Sequence, residues 1–327
     1  MLSLFALAEW TSEHAWLGVL AGLVLLVAGA ELLVRGAVWI ALTLGMSRMA
    51  VGLTLVAIGT SLPELLVSIT AARTGRSAMA MANVLGSNVA NVLLIVGAAA
   101  AIRSIELRTR WLELGFLIVM TALACLPFVS GGVERWMAAV MVAALTLFCA
   151  RLLRRERAAR RLLDGEPAAA RAGVARWLWN VLLLGTGLTL LAYGAEWLVD
   201  GAAAIAVAFG MSEALVGMTV VAVGTSLPEL ATSAVAAARG QPEISIGNIV
   251  GSNIFNVGAV LGVAGLVDPF PVDVPTLLPL LVMTIGSAAA LIAVLRSLVG
   301  VPRACGFLFL LAYAGFLAFE VATSRTP

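Results

Sequence analysis

The sequence predicts an all-α polytopic membrane protein: ten transmembrane helices in two inverted-topology five-helix repeats. Three observations predict it. Of the 327 residues, 62% are hydrophobic and only 12% charged, where an average soluble domain carries about 25% charged residues. Ten apolar stretches approach the roughly 20 residues that a spanning helix needs. A set of polar motifs recurs at a constant offset of 165 residues. With a mean hydropathy of +1.07, the composition excludes a water-soluble enzyme and a disordered or fibrous chain. The net charge of +2, from 20 Arg and 18 acidic residues, is too small to suggest a nucleic-acid partner.

The ten stretches fall at 16–42, 49–72, 78–101, 111–129, 134–152, 177–207, 214–238, 243–266, 275–295 and 303–322. The first and sixth are long enough to tilt strongly. Cys125, Cys149 and Cys305 lie far apart in apolar runs without metal-ligand spacing and read as small buried hydrophobes. The single histidine, His14, sits beside Trp10 and Trp16 and reads as interfacial. No basic n-region precedes the first apolar stretch, so a cleaved signal peptide is not expected.

Charge placement predicts orientation. Residues 151–176 hold Arg151, Arg154, Arg155, Arg157, Arg160, Arg161, Arg171 and Arg176, and the positive-inside rule makes this linker cytoplasmic. Counting spans outward then puts both termini outside, in a plasma (inner) membrane. The remaining loops agree: Arg35, Arg48, Arg103, Arg108, Arg110, Arg239, Arg296 and Arg303 fall on the inner side, and only Arg73, Arg76, Arg135 and Arg325 on the outer. The expected organisation is an N-terminal repeat at 1–152, a basic linker at 153–176 and a C-terminal repeat at 177–327. The linker's Arg cluster could attract anionic lipid, but its short, Ala-rich character favours a role in topology and in joining the halves.

The repeat is the main feature of the sequence. Gly45-Met46-Ser47 returns as Gly210-Met211-Ser212 and Thr54 as Thr219. Gly59-Thr60-Ser61-Leu62-Pro63-Glu64 returns unchanged as Gly224-Thr225-Ser226-Leu227-Pro228-Glu229. Asn83, Gly86-Ser87-Asn88 and Asn91 return as Asn248, Gly251-Ser252-Asn253 and Asn256, and Glu31 as Glu196. Five spans per half is an odd number, so the halves enter the membrane from opposite sides. That architecture belongs to secondary transporters whose site lies near the midplane.

Glu64 and Glu229 fall inside the second and seventh spans, where an acid costs about 3 kcal/mol or more unless compensated. Arg73 and Arg239 follow them by nine and ten residues, roughly 14 Å along a helix, too far to neutralise them. A bound cation would. Thr60 and Ser61, like Thr225 and Ser226, share the helix face of the following Glu. Pro63 and Pro228 break the helical hydrogen bonding and free carbonyls one turn away. Ser87 with Asn91, and Ser252 with Asn256, form a polar stripe at i, i+4 that suits ligation. Asn83, Asn88, Asn248 and Asn253 are open to either ligation or interhelical packing. Two carboxylates among hydroxyls, amides and carbonyls make an all-oxygen site of formal charge −2, which favours Ca²⁺ and Na⁺. Thiolate and imidazole, which a transition metal would prefer, are missing from these motifs.

These duplicated GTSLPE and GSNxxN motifs resemble the two alpha repeats (52–97 and 217–262) of the calcium/cation antiporter superfamily, in its prokaryotic sodium/calcium exchanger branch. The resemblance implies a transporter and not an enzyme, with Ca²⁺ and Na⁺ as transported ions; no cofactor is expected, and the lipid bilayer is the expected surround, with no obligate protein partner evident from the sequence. It implies that the second, third, seventh and eighth helices form the core and that the first and sixth slide across it. It also implies that Glu64 and Glu229 are shared by both ions and that Thr60 and Thr225 help bind Ca²⁺. Ser61, Ser226, Ser87 and Ser252, with the carbonyls of Ala57 and Ala222, would complete sodium sites, and Asn91 and Asn256 would line the centre. The potassium-dependent branch is characteristically acidic at position 256, so Asn256 argues against K⁺ co-transport.

The expected function is Na⁺/Ca²⁺ antiport by alternating access. The alternative is H⁺/Ca²⁺ antiport, since buried carboxylates can exchange protons for metal, although the proton-coupled branch typically replaces GTSLPE with a GNxxE-type motif. A passive cation channel fits the inverted duplication less well. Glu31 and Glu196, late in the first and sixth spans, read as helix-end residues or as gating residues; Glu31 has Arg35 at i+4, whereas Glu196 has Asp200.

Overall fold

The structure, a computed structural model, describes residues 14–106, 111–161, 173–208, 222–297 and 300–323. Gly210, Met211, Ser212, Thr219, Arg108, Arg110, Arg171, Arg325 and the start of the seventh predicted span lie outside the described residues.

The described chain is almost entirely helical. Helix α1 (Ala15–Leu44) is followed by α2 (Arg48–Thr60), α3 (Leu62–Arg73), α4 (Ser77–Ile102), α5 (Trp111–Ser130) and α6 (Arg135–Arg161). After the linker come α7 (Val174–Ala208), α8 (Ala222–Gly224), α9 (Leu227–Ala238), α10 (Pro242–Val267), α11 (Val274–Arg296) and α12 (Arg303–Thr323). Eight of these helices are long and apolar enough to span a membrane, and α2 with α3 forms a ninth span bent by 46°. Of the seventh predicted span the described residues hold α8 and α9 and the turn between them.

Helices α4 and α10 are the centre of the molecule, with 72% and 83% of their most apolar window buried. Small residues let neighbours approach their backbones. A Cβ on Gly247 would stand 2.8 Å from the Met49 carbonyl, and one on Gly251 would stand 2.7 Å from that of Leu53. The peripheral helices turn Leu, Val, Trp and Phe outward, as Leu20, Val24, Leu178, Trp179, Leu308 and Leu311 do. This suits a hydrocarbon surround.

The inverted repeat is visible at both ends. Phe270 pairs with Val133 in a two-stranded antiparallel contact of β1 (Gly132–Val133) and β2 (Phe270–Pro271). Ile105, 165 positions before Phe270, makes the corresponding antiparallel bridge to Val301. Each bridge ties a loop of one repeat to a loop of the other.

Helices α1 and α7 pack antiparallel along a glycine seam. Gly22, Gly29 and Gly36 face α7; Gly187, Gly194 and Gly201 face α1. A Cβ on Gly29 would lie 2.8 Å from the Gly187 carbonyl and the Leu191 nitrogen, and one on Gly194 would meet Leu26 N at 2.8 Å. Both sets repeat every seven residues, which keeps one stripe facing a partner helix. The backbones therefore touch directly.

Two expectations are corrected. The fifth predicted span ends at 152, but α6 continues to Arg161. Arg, Glu and Ala are good helix formers, and the added turns find partners: Arg155 Nη1 donates to Glu113 Oε1 at 2.9 Å, and Ser47 N donates to Glu156 Oε2 at 2.6 Å. The cysteines are half-buried rather than buried, all three packed against the edge of the main core.

Candidate functional site: an oxygen cluster between the repeats

Both repeats deliver a carboxylate by the same local device. Helix α2 stops at Thr60 and α3 restarts at Leu62, because Pro63 in the first turn of α3 cannot continue the preceding hydrogen-bond ladder. The junction residue Ser61 has φ −87° and ψ 8°. Its repeat mate Ser226 has φ −88° and ψ 5°, ahead of Pro228 in the first turn of α9. Glu64 and Glu229 consequently occupy the first turn of a half-helix, where the positive end of the helix dipole favours an anion. They are 1% and 0% exposed.

Around them the structure gathers most of the residues expected from sequence. Thr60, Ser61, Ser226, Ser87, Ser252, Asn91 and Asn256 are all buried. Ser61 Oγ donates to Glu229 Oε1 at 3.0 Å and lies 3.1 Å from Ser252 Oγ, joining the two repeats at one point. Thr60 Oγ1 donates to Asn248 Oδ1 at 3.1 Å, again across the repeats. The Ala57 carbonyl accepts from Ser61 N at 3.0 Å and, more weakly, from Thr60 Oγ1 at 3.5 Å. Thr225 is half-buried at the entry to α9, and Ala222 opens α8.

The four asparagines left open by sequence resolve into positioning groups. Asn91 Nδ2 donates to Asn253 Oδ1 at 2.9 Å, and Asn256 Nδ2 donates to Asn88 Oδ1 at 3.1 Å. These crossed pairs are symmetry mates, and they commit the amide nitrogens of Asn91 and Asn256 while leaving their oxygens over. Asn83 Nδ2 donates to Ser68 Oγ at 2.9 Å, as Asn248 Nδ2 does to Ser233 Oγ at 3.0 Å. Sequence reading missed Ser68 and Ser233, although their 165-residue spacing was a usable signal.

A second feature had no signal in composition or motif. The helical ladder widens to π-helix over Asn91–Val96 in α4 and over Asn256–Leu261 in α10. Such bulges loosen backbone hydrogen bonding and re-aim side chains, and they concentrate at functional sites. Here each begins at the asparagine of the oxygen cluster.

What remains unsatisfied is all of one kind. Both oxygens of Glu64, Oε2 of Glu229, Oδ1 of Asn91, Oδ1 of Asn256 and Oγ of Ser226 are buried with no hydrogen-bond partner among the described residues. Native proteins pair nearly all such groups. Among the described residues neither glutamate has an ion-pair partner. Five carboxylate or amide oxygens, acceptors only, and one hydroxyl thus share one need, which a hard cation with several oxygen ligands meets.

Glu31 and Glu196 belong elsewhere. Glu31 pairs with Arg35 on its own helix and with Arg239 Nη2 at 2.7 Å, at the far end of α9 from Glu229. Glu196 is exposed on α7, with half-buried Asp200 one turn on.

Comparison with known proteins places this arrangement. A family model described as sodium/calcium exchanger protein matches residues 14–154 and 179–322. The chain is 38% identical over 264 residues to the Alkalimonas amylolytica protein named antiporter CaxA, covering 78% of this chain and 82% of that one. It is 32% identical over 225 residues to the inner membrane protein YrbG of Escherichia coli strain K12, covering 65% and 67%. In structure it is similar to the sodium-calcium exchanger NCX_Mj soaked with 10 mM Na⁺ and zero Ca²⁺, with a TM-score of 0.78, 28% identity, and coverage of 97% and 100%.

Proposed function

The chain belongs to the sodium/calcium exchanger family, and from that premise we propose that it exchanges Na⁺ for Ca²⁺ by alternating access at the oxygen cluster between Glu64 and Glu229. It is an integral membrane cation antiporter and not an enzyme. The observation that carries the finer reading is the set of buried, partnerless oxygens on Glu64, Glu229, Asn91, Asn256 and Ser226.

Two buried carboxylates set the electrostatics. With no cation they are uncompensated charges in a low-dielectric interior, which makes the empty occluded state expensive. One Ca²⁺ neutralises the pair, and so do two Na⁺. The ions therefore compete for one charge, and only an adequately neutralised site passes through occlusion, so movement of one ion type is tied to counter-movement of the other. Thr60, Thr225, Ser61, Ser226, Ser87 and Ser252, with the Ala57 and Ala222 carbonyls, supply neutral oxygens that replace part of the hydration shell.

The moving part is α1 with α7, whose backbones are in direct contact along the glycine seam. The orientation that fits the Arg distribution puts Arg48, Arg103, Arg239 and the end of α6 at the cytoplasmic face of an inner membrane, and both termini outside.

The decisive experiment is ⁴⁵Ca²⁺ uptake into proteoliposomes under an imposed Na⁺ gradient, and separately under a pH gradient. Uptake driven by Na⁺ alone is expected. Uptake driven by the pH gradient alone would replace this reading with H⁺/Ca²⁺ antiport, and uptake without any gradient of counter-ion would replace it with a channel.

A further inference from the structure

The two repeats differ where the oxygen cluster leads toward the Arg103 end. On α9, Glu229, Thr232 and Ser233 share one helix face at spacings of three and four; Gln241 at the N-cap of α10, followed by Ser245, Asn248 and Ser252 on α10, does the same. The Asn248–Ser233 hydrogen bond of 3.0 Å sets these faces against each other. One turn beyond the cluster, Thr232 and Ser245 are each 0% exposed, and neither hydroxyl has a hydrogen-bond partner among the described residues. Gln241 Oε1, at the head of the same stripe, is likewise buried and partnerless.

A buried helix hydroxyl ordinarily bonds a carbonyl of its own helix, as buried Thr284 and Ser287 do here. Two neighbouring ones that do not, aligned with a third orphaned oxygen, mark a place where something else supplies the partner. Beyond them, at the turn between α9 and α10, lies a cavity of about 310 Å³ lined by Arg103, Ser104, Glu106, Gly240 and Glu243 among others.

The first repeat has no such row. Subtracting the 165-residue offset, Thr232 corresponds to Val67, Ser245 to Ala80 and Gln241 to Arg76. The ligand positions are duplicated; these are not. A purely structural demand of the shared fold would have appeared in both halves.

We propose that Thr232 and Ser245 form a transit position for a partly hydrated hard cation, between the Glu64–Glu229 cluster and the cavity at the α9–α10 turn. This rests on the exchanger reading above. Neutral hydroxyl and amide oxygens replace a few waters without adding charge, so an ion passes through the position and does not dwell there. The second repeat then carries a polar path out of the cluster toward the Arg103 face, and the corresponding path in the first repeat is lined by Val67 and Ala80.

The test converts the second repeat to the first. Thr232→Val and Ser245→Ala, singly and together, are reconstituted beside the parent. Expected is a fall in Na⁺-driven ⁴⁵Ca²⁺ turnover of about fivefold per hydroxyl, with equilibrium Ca²⁺ binding by the purified protein unchanged. Thr232→Ser, which keeps the hydroxyl, should restore turnover. Parental turnover in the double variant overturns the proposal, as does an equal loss of equilibrium Ca²⁺ binding. A second measurement does not depend on transport: Ser245→Cys, with Cys125, Cys149 and Cys305 replaced by Ala, should react with a membrane-impermeant methanethiosulfonate from the Arg103 face, and Ala80→Cys should not react from either face. A Ser245→Cys protein that resists the reagent from that face refutes the path. If the parent shows no Na⁺-driven exchange, it is the exchanger reading that fails, and the labelling result still decides the path.

Discussion

Ser61 donates to Glu229 across the repeat boundary at 3.0 Å, whereas its repeat mate Ser226 has a buried hydroxyl with no partner among the described residues. Identical hexapeptides thus sit in unequal states. The Glu229 side of the cluster is already knitted together through Ser61 and Ser252, and the Glu64 side has both carboxylate oxygens unpartnered. An alternating transporter built from two copies should show such inequality in any one conformation, with the roles exchanged in the other.

Ser61→Ala removes a hydrogen bond to a buried carboxylate, the kind worth about 1.5–3 kcal/mol. The expected outcome is a loss of apparent Na⁺ affinity of about tenfold or more, read from the Na⁺ dependence of ⁴⁵Ca²⁺ flux. Ser226→Ala breaks no side-chain hydrogen bond among the described residues, so it should leave the thermal midpoint of the cation-free protein within about 2 °C of the parent. A marked drop in that midpoint would show that Ser226 is structural.

Glu64→Gln and Glu229→Gln each halve the site charge and should abolish exchange while preserving a monodisperse protein on size-exclusion chromatography. The double variant removes two uncompensated buried charges, so without cations it should melt higher than the parent. Exchange at the parental rate in either single variant would remove that glutamate from the site.

Gly29→Ala would place a methyl 2.8 Å from backbone atoms of Gly187 and Leu191. Overpacking of this kind typically costs about 1–3 kcal/mol, and it forces α1 and α7 apart. A lower melting temperature with slowed exchange is expected. Gly185 on α7 has open space where a Cβ would go; Gly185→Ala should be neutral or stabilising by up to about 1 kcal/mol. Equal effects at the two positions would argue against a seam.

The ion pair of Glu31 with Arg239, 2.7 Å long, links α1 to the end of α9. Its repeat equivalent would join Glu196 to Thr74, which has no charge to offer. The pair therefore favours contact between α1 and α9 on one side only. Arg239 is more than half exposed, and such pairs are worth under about 1 kcal/mol. Arg239→Ala should shift the balance of inward and outward exchange rates by about two- to fivefold, less in high salt, without changing Ca²⁺ binding at equilibrium. An unchanged rate ratio would make the pair incidental.

Much of this protein is legible in its residues alone. Low charge content required a bilayer, the odd number of spans per repeat required inversion, and the duplicated Gly-Thr-Ser-Leu-Pro-Glu placed two acids where no Arg could reach them. These follow from local chemistry, since a proline breaks a helix and a carboxylate needs a counter-charge whatever surrounds them. Three things depended on how distant segments meet. The crossed Asn91–Asn253 and Asn256–Asn88 pairs decide which asparagines orient and which present an oxygen, because an amide's role is set by its partner. The π-helical segments starting at Asn91 and Asn256 are a departure from α-helical hydrogen bonding that apolar spacing alone does not signal. The extension of α6 to Arg161 is held by Arg155 and Glu156 finding Glu113 and the Ser47 backbone, contacts 42 and 109 residues away. The sequence by itself determined the chemistry of the cluster. Only the tertiary structure decided which of its oxygens are satisfied and which stay without a partner, because satisfaction is a property of neighbours brought together by the fold.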